Sequence, residues 1–151
     1  MSAEMLRAVM ARGFSPGTGT AAVAVAAAVA LSACGQGAPD LFAVKRSGAD
    51  RAANLQLVVS DGGTVTCNGG DPKGLSGDQL LTARELSREL NEAATLGLRL
   101  PAGKGTVLSY EARVENGTVS FSDTSRQKPA SFDRLAGFVD DVAENVCQIR
   151  R

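Results

Sequence analysis

The feature that most constrains this chain is a short apolar run, residues 21–31, because it separates an N-terminal leader from everything downstream. A segment that carries Arg7 and Arg12 precedes the run, and Leu31-Ser32-Ala33-Cys34 ends it. A basic region, a short apolar region and small residues before a cleavage point are typical of a secretory signal. The run is too short to cross a bilayer, which takes about 20 residues. We therefore expect residues 34–151 to fold outside the cytoplasm.

The motif Leu31-Ser32-Ala33-Cys34 resembles the lipobox of bacterial lipoproteins. This resemblance implies cleavage between Ala33 and Cys34, a diacylglyceryl thioether on Cys34, and palmitate-type acylation of the new amino terminus in some bacteria. Two acyl chains anchor a protein stably, whereas one does so only marginally. The whole chain resembles the small, functionally uncharacterised lipoproteins of high-GC Gram-positive bacteria, which implies a place on the extracytoplasmic side of the cell membrane. The alternative is an ordinary signal peptide, or an uncleaved anchor, with an unmodified Cys34.

The sequence predicts three regions: a lipoprotein signal peptide at 1–33, a flexible tether at 34–40, and one domain at 41–151. The tether contains glycine and proline and has no hydrophobic periodicity. Its six residues after Cys34 reach at most about 20 Å. The domain is long enough for one hydrophobic core and too short for two. We expect it to lie close to the membrane surface.

The charge balance argues against nucleic acid and anionic lipid as the main partner. The chain has 16 Lys and Arg against 16 Asp and Glu, and its leader contains Glu4, Arg7 and Arg12, which leaves a net charge of −1 beyond it. Nucleic acid requires a clustered basic surface. The densest basic pairs are Lys45-Arg46 and Arg150-Arg151. We interpret both as solvated surface charge.

Two cysteines, Cys67 and Cys147, remain if Cys34 is lipidated. An even pair in an oxidising compartment predicts a disulfide bond. Closing a loop of this length would stabilise the domain by about 4 kcal/mol in the chain-entropy model. Two buried free thiols, or one reactive cysteine, are the alternatives.

The chain contains no His and no Trp, and Tyr110 is its only Tyr. The absence of His excludes Ser-His-Asp and Cys-His nucleophile systems, and it excludes His-based metal sites. Aromatic platforms that stack on sugars are nearly excluded as well. We predict no catalytic residue, no metal site and no cofactor.

The first half of the domain predicts three strands and a helix. Strands are expected at 41–46, 54–60 and 64–68, with a three-residue turn at 61–63 that brings Val59 opposite Val65 and Leu57 opposite Cys67. The helix is expected at 78–94. Ser76 and Gln79 form the pattern of a capping box before it, and Gly97 is expected to stop it.

The second half predicts a hairpin and a final helix. Asn116-Gly117 is the favoured pair of a type I′ turn, which places Val114 opposite Val119 and Ala112 opposite Phe121. The last helix begins near Pro129 or Ser131 and carries Cys147 in its last turn. The order βββαββα predicts an α+β fold in which two helices pack on one face of an antiparallel sheet of about five strands.

Several polar groups invite a functional interpretation, although a structural one is favoured for each. Glycine-rich loops at 69–74 and 103–106 resemble anion cradles without a Walker motif. The remaining candidates are carboxylate pairs and charged clusters: Glu85 with Glu89, Glu111 with Glu115, Asp140-Asp141 with Glu144, and Asp123 with Arg126 and Lys128 near Ser122, Thr124 and Ser125.

The leading functional hypothesis is a membrane-tethered, non-enzymatic binding or accessory module. Its alternative is a protease-inhibitor-like or other protein-interaction domain that uses a glycine-rich loop, followed by a carboxylate-dependent hydrolase. Secreted subtilisin-inhibitor-like proteins are similar in placing a Cys near such a loop, but this chain lacks their second disulfide and their reactive loop. A ligand-sized cleft between sheet and helices would favour a small molecule, and an exposed apolar patch would favour a protein partner.

Overall fold

A computed structural model of the chain describes residues 40–50 and 53–149. The predicted signal peptide, Cys34 and the tether up to residue 39 lie outside the described residues. The elements, in chain order, are β1 (Asp40–Gly48), β2 (Leu55–Ser60), β3 (Thr64–Cys67), β4 (Lys73–Gly74), α1 (Gly77–Thr95), β5 (Leu108–Val114), β6 (Gly117–Ser122) and α2 (Ala130–Asn145).

The strands form one antiparallel sheet in the order β4-β3-β2-β1-β5-β6. The predicted α+β class is confirmed, with six strands in place of about five. The additional strand, β4, lies in the glycine-rich loop, where two residues are too few to produce a hydrophobic period. Asp40, the last residue of the predicted tether, belongs to β1.

Both helices cover one face of the sheet. Along β1, Phe42 and Val44 are buried while Lys45 is exposed, which is the alternation expected of a strand with one face on a core. The Phe42 ring packs edge-on against Phe138 of α2 at a centroid distance of 6.0 Å. Leu86 of α1 is completely buried in the same core. The opposite face of the sheet carries the exposed side chains.

The β2–β3 hairpin has the predicted register. Val59 pairs with Val65 and Leu57 pairs with Cys67. Gly63 takes the left-handed conformation at the end of the turn, with φ +81°. A three-residue connection that ends in a left-handed glycine keeps both apolar pairs on the core face.

Helix α1 begins and ends as its sequence predicts. The Ser76 side chain accepts a hydrogen bond from the Gln79 backbone N–H, and the Gln79 side chain accepts one from the Ser76 N–H. After the helix, Gly97 adopts φ +67°. The N–H of Gly97 donates to Ala94, and that of Leu98 donates to Ala93. This pair of bonds is a Schellman motif.

The predicted register of the β5–β6 hairpin is wrong by two residues. Ala112 pairs with Val119, and Gly117 belongs to β6, so the two-residue turn is Glu115-Asn116. Neither turn residue has the positive φ that a type I′ turn requires. The Asn116 N–H donates to Asn91 Oδ1 of α1 at 2.8 Å, which fixes the tip against the helix. Because the shift is two positions, the apolar residues still face the core.

Helix α2 ends at Asn145, so Cys147 lies two residues beyond the helix rather than in its last turn. The predicted disulfide between Cys67 and Cys147 is confirmed, with Cα atoms 6.0 Å apart. Lys73 Nζ donates to the carbonyl oxygens of Val146 and Cys147 at 3.2 and 3.5 Å. A covalent bond and a charged cap thus attach the end of α2 to β3 and β4.

The interpretation of Arg46 as surface charge is wrong, since its side chain is only 1% exposed. Arg46 follows Phe42 and Val44 at the spacing of the core face of β1. Its Nε donates to the Ala53 carbonyl at 2.8 Å, and its Nη1 donates to Asp140 Oδ1 at 2.7 Å. Burial is tolerated because the guanidinium is paired and hydrogen-bonded. Arg46 therefore joins the β1–β2 connection to α2.

Candidate functional site

A cleft of about 610 Å³ opens where β1 begins, between the sheet, the β5–β6 hairpin tip and α1. Its volume falls within the range of small-molecule sites. Its lining is formed by Asp40, Leu41, Phe42, Ala43, Asp61, Ser87, Asn91, Arg113, Val114 and Glu115.

Hydrogen bonds between the helix and the sheet fix the walls of this cleft. Ser87 Oγ on α1 donates to the Leu41 carbonyl of β1 at 3.1 Å. Asn91 Nδ2 donates to the Ser87 carbonyl at 3.0 Å, and Asn91 Oδ1 accepts the Asn116 N–H. These side chains are therefore already used in holding the helix against the strand and the hairpin tip. The cleft is a preformed feature of the fold.

The charged side chains of the cleft fall into two groups. Arg84 neutralises Asp61, since its Nε donates to Asp61 Oδ1 at 2.7 Å. Asp40, Arg113 and Glu115 make no side-chain hydrogen bond or ion pair within the part of the chain that the structure describes. The cleft thus offers one free guanidinium and two free carboxylates to a ligand.

The apolar part of the cleft comes from β1 and β5. Leu41 is half-buried, while Phe42 and Val114 lie almost wholly below the surface. Ala43 and Arg113 are directly paired across the two strands. Since paired residues share a face, the small Ala43 side chain leaves room beside the guanidinium. An apolar wall with a few charged groups is the usual composition of a binding site.

The glycine-rich loop at 69–74 is not arranged as an anion cradle. Lys73, its one cation, caps the end of α2 and lies in β4. The N-terminus of α1 is capped by Ser76. The loop itself is exposed, and the Cys67–Cys147 disulfide and β4 brace its two ends.

Hydrogen bonds join the loop at 103–106 and its neighbours to the polar cluster that follows β6. The Gly103 N–H donates to Thr124 Oγ1, and the Ser125 hydroxyl donates to the Pro101 carbonyl. Asp123 accepts hydrogen bonds from the N–H groups of Val107 and Leu108. These groups join two loops to the end of the sheet.

Lys128 also has a structural role, because its Nζ contacts Asp133 at 2.8 Å and the Asp123 carbonyl at 3.1 Å. Asp123 and Arg126 are both exposed, and Arg126 makes no ion pair with any described residue. The predicted recognition edge is therefore not assembled around Asp123, Arg126 and Lys128.

The acidic residues of α2 contact different partners. Asp140 pairs with the buried Arg46. Asp141 accepts hydrogen bonds from Gln79 and Asn145 at 2.6 and 2.7 Å. Glu144 is exposed. Among residues 40–50 and 53–149, no group of three or more His, Cys, Asp or Glu side chains is placed to hold a metal ion.

The two candidate carboxylate pairs differ in their surroundings. Glu85 and Glu89 on α1 both bind Arg134 of α2, each at 2.8 Å. Glu111 and Glu115 are exposed and line different clefts. Neither pair is buried, and burial is what tunes a carboxylate for acid-base chemistry.

The exposed large apolar side chains are scattered. Leu81, Leu96 and Val107 belong to α1, its C-cap and the loop before β5. They do not suggest a contiguous apolar patch for a protein partner. Within the described ranges, no helix has the length and apolarity needed to cross a membrane.

Comparison with protein families, curated proteins and solved structures finds no match for this chain. The cleft is thus interpreted from its own residues.

Sequence reasoning missed Arg113 and Asp40 as site residues. Alternation along β5 did place Arg113 on the face opposite the core, which was a usable signal. The convergence of β1, the hairpin tip and α1 on one cleft depends on tertiary contacts and left no sequence signal.

Proposed function

We propose that this protein is a lipid-anchored extracytoplasmic lipoprotein whose domain is a non-enzymatic module that binds a small molecule. The lipobox-like motif ending at Cys34 supports the anchor. The cleft at the start of β1 is the one observation that carries the binding function. It lies at the end of the sheet where β1 begins, with Ser87 and Asn91 of α1 among its lining residues, and it combines charged groups with an apolar wall.

Carboxylates of the other polar clusters form ion pairs within the domain. This supports a binding role rather than a catalytic one. Glu85 and Glu89 share Arg134, and Asp140 pairs with Arg46. Each of these carboxylates is thus held by a guanidinium of the fold. Asp40, Arg113 and Glu115 have no such partner among residues 40–50 and 53–149, which supports their availability to a ligand.

The anchor is tested by replacing Cys34→Ala in the full chain. The proposal expects the variant to lose lipid labelling and to leave the membrane fraction or remain unprocessed. A Ser32→Thr variant, which leaves the thiol intact, serves as the control. Unchanged lipid labelling of the Cys34→Ala protein would contradict the anchor.

Binding is tested in intact cells with a photoreactive amino acid at position 43, inside the cleft, and at position 47 as the matched control. Both positions lie on the same face of β1. We expect illumination to add a defined small mass to the chain labelled at position 43 and none to the other. Equal adducts at both positions, or no adduct at either, would contradict the cleft as a binding site.

A protein-interaction loop is the second candidate, because residues 69–74 are exposed and braced at both ends. The same photoreactive group at position 71 tests it. A protein-sized adduct at position 71, with none at position 43, would favour this candidate over the small-molecule site.

A further inference from the structure

We infer that the cleft binds the zwitterionic headgroup of a membrane phospholipid, with a phosphate diester and a primary ammonium group, as in phosphatidylethanolamine. This inference rests on the proposed lipid anchor and assigns a ligand class to the proposed binding site. It follows from the charges of the cleft, its apolar wall and its position in the chain.

The charges of the cleft are complementary to a zwitterion. Arg113 presents a guanidinium, the side chain best suited to a phosphate because its donors can bind two oxygens at once. Glu115 follows Arg113 by two residues, about 7 Å along the chain, and Asp40 lies at the same end of the sheet. None of the three has an internal partner among the described residues. A ligand with an anion and a cation close together would satisfy both signs.

The other charges around the cleft do not change this pattern. Asp61 is already neutralised by Arg84. Ser87 and Asn91 use their polar atoms to hold α1 to β1 and to the hairpin tip. The free carboxylates disfavour a ligand that is purely anionic, and the free guanidinium disfavours one that is purely cationic.

The apolar wall gives the uncharged part of a lipid a place to lie. Leu41 and Ala43 are half-buried on one face of β1 and line the cleft, and Phe42 and Val114 line it as well. A volume of about 610 Å³ is larger than a headgroup needs by itself. The remaining space fits the glycerol and the first carbons of the acyl chains.

The position of the cleft places it within reach of the bilayer. Asp40 is both a lining residue and the first residue of β1. Five residues, 35–39, join it to Cys34, a span of at most about 20 Å. A protein anchored at Cys34 therefore presents the cleft end of the domain close to the membrane.

The test is a competition among lipids, read by native mass spectrometry of the full lipidated protein in detergent micelles. The micelles contain equal amounts of phosphatidylethanolamine, phosphatidylglycerol and phosphatidylcholine with the same acyl chains. Phosphatidylglycerol lacks the cation. Phosphatidylcholine lacks the N–H donors that a carboxylate accepts from a primary ammonium group. We expect adducts of phosphatidylethanolamine to exceed each of the others by roughly tenfold.

Three variants assign the contacts. Arg113→Gln is expected to reduce all lipid adducts, because the phosphate contact is lost. Glu115→Gln is expected to reduce the preference for phosphatidylethanolamine over phosphatidylglycerol by several fold. Arg126→Gln, which removes an exposed cation remote from the cleft, is the matched control and should bind as the parent protein does.

Water-soluble phosphoethanolamine is added to distinguish a lipid from a free headgroup. We expect it to compete only weakly, since it cannot contact the apolar wall. Equal adducts of all three lipids, unchanged adducts in Arg113→Gln, or full displacement by phosphoethanolamine would each overturn the inference. The same spectra report the mass of the chain, so a protein without a diacylglyceryl group would count against the anchor instead.

Discussion

The two ends of the sheet are built on different principles. At the end where β1 finishes, the buried Arg46 pairs with Asp140, and the Cys67–Cys147 disulfide attaches the end of α2 to β3. At the end where β1 begins, Asp40 and other charged side chains surround an open cleft. We call these the braced end and the cleft end.

The comparison separates residues that stabilise the fold from those available for binding. At the braced end, Arg46, Asp140 and Lys73 all contact protein atoms. At the cleft end, Arg113 and Glu115 contact no charged partner among the described residues. Substitutions at the braced end should therefore lower stability, while those at the cleft end should change binding and leave stability intact.

The largest stability loss is expected from removing the disulfide. Replacing Cys67→Ser and Cys147→Ser together should lower the free energy of unfolding by about 4 kcal/mol, because the unfolded chain is no longer closed into a long loop. Urea unfolding of the full chain measures this loss, with the parent protein under reducing conditions as the comparison. A loss below about 1 kcal/mol would show that the disulfide does not brace this end.

A second large effect is expected at Asp140. Asp140→Leu removes the carboxylate that pairs with the buried Arg46 guanidinium and should lower the free energy of unfolding by about 3 kcal/mol, at the low end for such pairs because Asp140 is partly exposed. Combining it with Arg46→Met removes the buried charge and should recover most of the loss. Failure of the double variant to recover any stability would contradict the ion-pair explanation.

The exposed ion pairs between the helices should contribute little. Arg134→Gln removes two contacts at once, to Glu85 and Glu89, yet all three side chains reach solvent. We expect a loss of about 0.5 to 1 kcal/mol that shrinks further at high salt. A salt-independent loss as large as that of Asp140→Leu would remove the distinction between buried and exposed pairs.

The smallest effect on stability is expected at the cleft end. Arg113→Gln should change the free energy of unfolding by less than about 0.5 kcal/mol, as surface substitutions usually do. Thermal unfolding measures this beside Asp140→Leu as the positive control. A loss of 2 kcal/mol or more would mean that Arg113 stabilises the fold and is not available to a ligand.

Much of the fold could be predicted because local signals agreed with the tertiary structure. The capping box at Ser76 and the left-handed glycine at the end of the β2–β3 turn are decided by neighbouring residues, and both are confirmed. The register of the β5–β6 hairpin depends instead on contacts with α1. A local preference for a turn at Asn116-Gly117 yielded to the hydrogen bonds that Asn116 donates to Asn91 and Thr95 of α1.

The alternation of β1 places Arg46 on the face of Phe42 and Val44, which was a usable signal of its burial. Charged residues are seldom fully buried without partners. The partners of Arg46, Ala53 and Asp140, come from distant parts of the chain. The cleft could not be predicted from the sequence for the same reason, since three separate elements form it. Sequence thus predicted the elements and their faces better than the contacts between them.

The most direct test of this account asks which end of the sheet faces the membrane. The lipidated protein is reconstituted into vesicles that contain lipids with a short-range quencher in the headgroup. A fluorophore is attached at Gly62→Cys, in the turn at the cleft end, or at Asp71→Cys, in the loop at the braced end. The account predicts strong quenching at position 62 and little at position 71. Equal quenching at both positions, or the reverse order, would contradict it.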